Sequence, residues 1–295
     1  MVIRKSVPER IFDLINHFIM LLLILVTLYP FWHIAMASFS NPISLMMHRG
    51  GLFWPLDSAT LVAYTTVFKN PNIYTGYTNT LFYLAAGTAI NILLTTLGAY
   101  ALSRRDLYFR DHIMLFIAFT MLFSGGMIPT YHVVNTLGMV GTRWSMIVPA
   151  AMSTFNLIIM RTSVAAIPDS IEESALIDGA NELQILIRII VPLSVPIIAV
   201  MVLYYGVYHW NSWFPALLYL TAKRNFWPLQ LFLREILIMS KVDSYSQEFA
   251  MEARKPIEYV IKNAMIIIAT VPVMLIYPFL QRYFVKGVMI GAIKG

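Results

Sequence analysis

Residues 168–192 read PDSIEESALIDGANELQILIRIIVP, and a charge-free run from Ile189 to Ala222 begins before they end. The stretch is a dense polar island beside apolar runs long enough to cross a bilayer. Five of the chain's 15 acids, Asp169, Glu172, Glu173, Asp178 and Glu182, fall inside it. Asp169 and Glu172 have capping-box spacing, Gly179 tolerates the left-handed conformation that ends a helix, and Asn181 with Gln184 repeats the start signal. The expected product is a short helix over Asp169 to Asp178, a turn at Gly179, and a second helix to about Pro192, where the missing N–H breaks it. Ile171, Ala175 and Ile177 form an apolar patch, and the small Ser174 and Ala175 let a partner's backbone approach closely. By its charges alone, the stretch also fits a solvated connector whose acids cap its helices.

Outward from this island the chain is apolar. Of its 295 residues, 59% are hydrophobic and 12% charged, against about 45–50% and about 25% in soluble domains. That balance excludes an ordinary soluble enzyme. Charge-free windows run from Leu14 to His48, Asn70 to Ser103, His112 to Thr142, Trp144 to Met160, Ile189 to Ala222 and Asn263 to Gln281. Each can hold a segment crossing about 30 Å of hydrocarbon. The expected spans are 15–38, 79–102, 113–134, 145–167, 196–219 and 261–281 of one transmembrane domain over 1–295. No ten-residue alternation typical of a membrane barrel occurs, so the fold class is all-α and polytopic, with six transmembrane helices and a cytoplasmic insert.

Basic residues orient the spans. Arg4, Lys5, Arg10, Arg104, Arg105, Arg110, Arg161, Arg188, Arg282, Lys286 and Lys294 fall on one side, and the first two loops opposite hold only Arg49, Lys69 and Arg143. Both termini are therefore expected in the cytoplasm. The outer loop 220–260 weakens the bias because it carries six cations, though its five acids largely offset them. Arg4 and Lys5 before an apolar run also fit a signal peptide, but the run is long and ends in bulky Phe31-Trp32-His33, so it reads as a retained span. The net charge of +6 comes without a basic cluster interleaved with aromatics, so nucleic acid is not an expected partner. With no cysteine, the chain has neither disulfide nor thiol nucleophile.

The spacing within the insert carries a resemblance. Glu173-Ser174-Ala175, three residues, Gly179, nine residues, Ile189, one residue, then Val191-Pro192 resembles the EAA motif of membrane subunits of bacterial ABC importers. It departs from the usual pattern at Ser174 and Val191, both small or volume-similar changes. The segments from Phe123 to Tyr131 and from Tyr277 to Gly295 are similar to the carbohydrate-importing branch that takes up oligosaccharides from polysaccharide breakdown, alginate among them.

The resemblance implies a permease in the bacterial cytoplasmic (inner) membrane. Its partners would be a second homologous permease, two ATP-binding subunits and an extracytoplasmic solute-binding protein, with an oligosaccharide as cargo. ATP and Mg would sit on the partner subunits, because a Gly-x4-Gly-Lys-Ser/Thr phosphate cradle is absent from this chain. Residues 168–192 would be the coupling helix, docked through Glu172, Glu173, Ser174, Ala175, Asp178, Gly179, Ile189 and Pro192. Glu173 would pair with a basic residue of the ATPase, and Gly179 would make the turn. The tail with Gly291, Lys294 and Gly295 resembles family tails that reach between ATPase subunits, and a frayed solvated terminus is the alternative.

The path for cargo is sought on the fifth span. Tyr204, Tyr208 and Asn211 share a helical face at i, i+4 and i+7, and aromatic rings beside an amide suit the C–H face and hydroxyls of a sugar. Trp210 and Trp213 fit either that path or an interfacial aromatic belt. Gly125 to Pro129 interrupts the third span, fitting a bent helix beside a pathway or simple packing. The loop 220–260 suits contact with a binding protein, a lid, or an amphipathic segment lying on the membrane. An ion-coupled secondary transporter is the rival class, but no intramembrane Asp or Glu stands out from spans two to six. A membrane-embedded glycan enzyme would need two convergent carboxylates, and the dense acids are used at helix ends.

Overall fold

A computed structural model describes residues 6–246 and 255–292. Its regular elements are all helical, with no strand among the described residues. A helix satisfies its own N–H and C=O groups, as lipid demands. Val7–Phe39, Pro71–Ser103 and Pro256–Ile276 are each long and apolar enough to cross a membrane. Three bent pairs pass the same test: Arg110–Leu122 with Met127–Thr136, Trp144–Ala150 with Thr154–Val164, and Glu182–Leu193 with Val195–Trp210.

The bends have local causes. The third expected span is divided at Phe123 to Gly126 by a 115° turn, and Gly126 there adopts φ +86°, a conformation other residues resist. The 51° bend before Thr154 follows Pro149, and Ser153 caps the new helix by accepting from the Asn156 N–H. The break expected at about Pro192 lies instead at Ser194, with an angle of 81°. A π turn over Leu186–Ile190 leads into Val191–Leu193, so Pro192 is accommodated within the helix. Pro196 then cannot donate to the carbonyl of Pro192 four residues back, and its ring crowds that carbonyl. The chain therefore turns at Ser194, whose N–H reaches Ile190 O at 2.8 Å.

The described residues belong to two compact units. The first lies within Met1–Asn70 and Ile236–Thr270. Its opening helix, Val7–Phe39, starts with a capping box between Ser6 and Glu9 and leaves its apolar window wholly unburied. Such a surface is stable only against hydrocarbon or another apolar face. Ala37, Leu45, Leu52, Ala63, Val260 and Ala264 form the core of this unit.

The second unit lies within Pro71–Glu235 and Val271–Gly295. Thr88–Ser103 packs against Thr154–Val164 and Val195–Trp210, burying Ala99, Leu157, Met160, Ile185 and Met201 among others. Polar side chains stitch these helices together. The Tyr205 hydroxyl lies 2.7 Å from Thr95 Oγ1 and accepts the Ser153 N–H at 3.1 Å. Asn91 donates to Ala150 O at 2.6 Å, so its Oδ1 accepts from His209 Nε2 at 2.7 Å. Gly87 allows this, since a Cβ there would lie 2.4 Å from His209 Nε2.

The expected outer loop is ordered at its start. Asn79 donates to Asn225 O at 2.8 Å and Trp227 O at 3.0 Å, Tyr83 donates to Phe226 O at 2.8 Å, and the Leu229 N–H reaches Thr80 Oγ1 at 2.9 Å. Helix Leu229–Ser246 follows, and residues 247–254 lie outside the described part.

Candidate functional site

The insert folds as two short helices, Asp169–Ile177 and Glu182–Ile185, either side of Gly179. Gly179 sits at φ +81°, and the Gly179 and Ala180 N–H groups return to Leu176 O and Ala175 O, each at 3.0 Å. The second capping box forms as expected: Gln184 N–H to Asn181 at 2.9 Å and Asn181 N–H to Gln184 at 3.0 Å. The first does not. Pro168 precedes the helix without a side-chain cap, and Asp169 and Glu172 turn to guanidinium groups instead. An ionised pair outcompetes a bond to a neutral N–H.

Arg104, one residue beyond the Thr88–Ser103 helix, is the hub. It pairs with Glu172 on the first short helix and, at 3.3 Å, with Glu182 on the second. Tyr100 donates to the other oxygen of Glu182 at 2.6 Å, and the guanidinium carbon of Arg104 lies 5.5 Å from the Tyr100 ring centre. Burial disfavours the charge on Arg104, but Tyr100 and Glu182 more than offset it, so its pKa lies above the ordinary value. Arg105 meets Asp169 at 3.4 Å. Two turns of the insert are thus fastened to the end of one span by charge.

The remaining insert residues divide into inward and outward sets. Ala175 is 8% exposed and packs into this chain's own core, so the expected patch with Ile171 and Ile177 is corrected: Ala175 faces in, and Ile177 stands 87% exposed. The methyl group of Ala175 is part of the apolar core formed with residues of the spans. Ser174 is exposed and its hydroxyl donates to Ser170 O at 2.8 Å. Ile189 is half-buried against the core, Pro192 is exposed, and Asp178 is the exposed C-cap of the first helix. Glu173 is exposed, and no ion-pair partner reaches it among the described residues.

On the fifth expected span, Tyr204 and Tyr208 are exposed, and with Tyr205, Phe155 and Asn156 they line a cavity of about 660 Å³. Tyr208, Asn211 and Trp213 line a neighbouring one of about 480 Å³. Asn211 is the C-cap of Val195–Trp210 and donates to Val207 O at 2.9 Å, which settles its amide. Trp210 is 4% exposed, packs edge-on to Tyr77 at 6.4 Å and opens on neither cavity. Trp213 lies under the Arg234 guanidinium at 4.6 Å. Gly291 falls in helix Lys255–Ala292, whereas Lys294 and Gly295 lie outside the described residues. Sequence reasoning passed over Asn156 and Arg104. The first is a lone amide in a charge-free window, and the second was used only to orient the spans.

Broken apolar helices around a cavity, with a charged helix-turn-helix fastened at one end, define a membrane transport subunit. The chain belongs to the family described as binding-protein-dependent transport system inner membrane component, which matches residues 94–290. It is 41% identical to the polygalacturonan/rhamnogalacturonan transport system permease protein YtcP of Bacillus subtilis, over 97% of this chain and 99% of that one. It is 40% identical to protein LplC of the same organism, over 97% and 96%. Its structure resembles a chain of a bacterial ABC transporter involved in the import of the acidic polysaccharide alginate. There the TM-score is 0.84 at 31% identity, covering 96% of this chain and 100% of that one. The chain is therefore a multi-pass inner-membrane permease of the ABC class, and the ion-coupled alternative falls away.

Proposed function

We propose that this permease forms half of the path for an oligosaccharide, with residues 1–295 acting as one transmembrane domain alongside a homologous second permease. Two ATPase subunits carrying ATP and Mg drive it, an extracytoplasmic binding protein delivers the cargo, and both termini face the cytoplasm. The relatives named for polygalacturonan and alginate support an acidic polysaccharide fragment as cargo. Tyr204, Tyr208, Asn211 and Trp213 border the path in this reading, and Trp210 supports it from behind.

One observation carries the coupling role. Asp169, Glu172 and Glu182 have guanidinium partners within the chain, while Glu173, exposed on the helix that holds Asp169 and Glu172, has none among the described residues. A carboxylate left over on a rigid knob is suited to a cation on another subunit, which would fix the register of docking. Closure of the ATPase pair then moves the knob, and Arg104 passes the movement to the Thr88–Ser103 helix. The test is co-purification of the detergent-solubilised complex with ATPase activity assayed on each eluate. Wild type is expected to bring down a nucleotide-hydrolysing subunit that Glu173→Arg loses. A wild-type chain that purifies alone and transports in liposomes without ATP would overturn the reading.

A further inference from the structure

The cavity of about 660 Å³ holds one side chain that the fold itself does not use. Asn156 is 6% exposed, and its backbone N–H is taken by the Ser153 cap. Its amide side chain lines the cavity and has no hydrogen-bond partner among the described residues. Its amide atoms are not sealed into the core but open onto the cavity, so their hydrogen bonds are left for whatever fills it, water or a ligand. By contrast, Asn91 and Asn79 in the same unit each have partners.

The surroundings specify the ligand chemistry. Tyr204 and Tyr208 present aromatic faces and phenol hydroxyls, Phe155 adds a third ring, and no charged side chain lines the cavity among the described residues. Rings stack on the C–H face of a pyranose, an amide both donates to and accepts from hydroxyls, and neither neutralises a carboxylate. The volume falls within the range of small-molecule sites.

We infer that Asn156, Tyr204 and Tyr208 form a subsite for an uncharged sugar face, which reads ring hydroxyls and is indifferent to whether the sugar's carboxyl group is ionised or esterified. This inference rests on the importer reading and adds a site and a selectivity to it.

The test uses the intact transporter reconstituted in proteoliposomes with its binding protein, and two probes, galacturonate trimer and its methyl ester. Wild type is expected to import both. Asn156→Leu is expected to raise the concentration for half-maximal import about fivefold for each, the loss of one neutral hydrogen bond. Asn156→Asp is expected to weaken the acid probe more than its ester, because a charge placed in the cavity repels the probe's carboxylate across a medium of low dielectric even without touching it. Tyr208→Phe removes only a hydroxyl and is expected to weaken both probes a few-fold, so the subsite stays testable if the Asn156 variants fail to assemble. Import by Asn156→Leu equal to wild type overturns the subsite alone. So does loss of the second permease from that variant's complex, which would make Asn156 an interface residue. If wild type imports neither probe, the acidic-fragment cargo proposed above fails and the subsite falls with it.

Discussion

Replacing Arg104 with methionine strands the carboxylates that hold the insert to its span. The Arg104 and Glu172 side chains are 18% and 16% exposed. Their pairing therefore lies between two limits: about 3–5 kcal/mol for a charge stranded in a dry interior, and about 0.2–1 kcal/mol for an exposed pair. Discounting for the residual solvent leaves about 2 kcal/mol for Glu172. Glu182, 58% exposed, adds about 0.3 kcal/mol. A loss of about 2 kcal/mol is roughly a 30-fold shift toward an unfastened insert. Hydrogen exchange of amides 169–178 in lipid nanodiscs reads that shift directly, and exchange in Arg104→Met is expected to quicken by about that factor. Adding Glu172→Gln is expected to recover all but about 1 kcal/mol, since nothing charged is then left buried. Unchanged protection in the single variant, or a double variant as labile as the single, would refute the reasoning.

Three further outcomes follow from the geometry. Gly179→Ala meets no neighbour within 4 Å but must hold φ +81°, so it is expected to cost about 1–2 kcal/mol and lower the import obtained per ATP hydrolysed; coupling equal to wild type would contradict this. Gly87→Ala places a Cβ 2.4 Å from His209 Nε2 and is expected to drive His209 off Asn91 at roughly 1–3 kcal/mol, seen as an earlier thermal midpoint in detergent. Tyr205→Phe leaves Thr95 and the Ser153 N–H without their shared partner, and the same thermal assay is expected to register about 1–3 kcal/mol; a midpoint at the wild-type value would show that water replaces the hydroxyl.

The helical membrane fold was legible because charge-free length is a property of the chain alone. The turn at Gly179 and the box at Asn181 and Gln184 were equally legible, since both involve only near neighbours in sequence. Long-range partners were not. Whether Asp169 and Glu172 cap a helix or meet Arg105 and Arg104 depends on where residues about 65 positions away are brought. The direction of Ala175 was decided in the same way, by the helix it meets rather than by its size. At Pro192 and Ser194 the mark of a break was visible, but the π turn that shifts it by two residues is not encoded in any single side chain. Asn211 stood out in sequence and Asn156 did not, yet Asn211 is consumed by its own helix end and Asn156 is not.

Coupling to the ATPase turns most directly on what Glu173 touches. The natural chain has no cysteine, so Glu173→Cys places a unique thiol on the outward face of the knob. It can carry a maleimide photo-crosslinker in native membranes, with Arg49→Cys as the control on the opposite side. Crosslinks from position 173 to a protein whose peptides include a Gly-x4-Gly-Lys-Ser/Thr phosphate cradle, and none from position 49, are the predicted result. Crosslinks from 173 only to lipid, to the second permease or to an extracytoplasmic protein would contradict it.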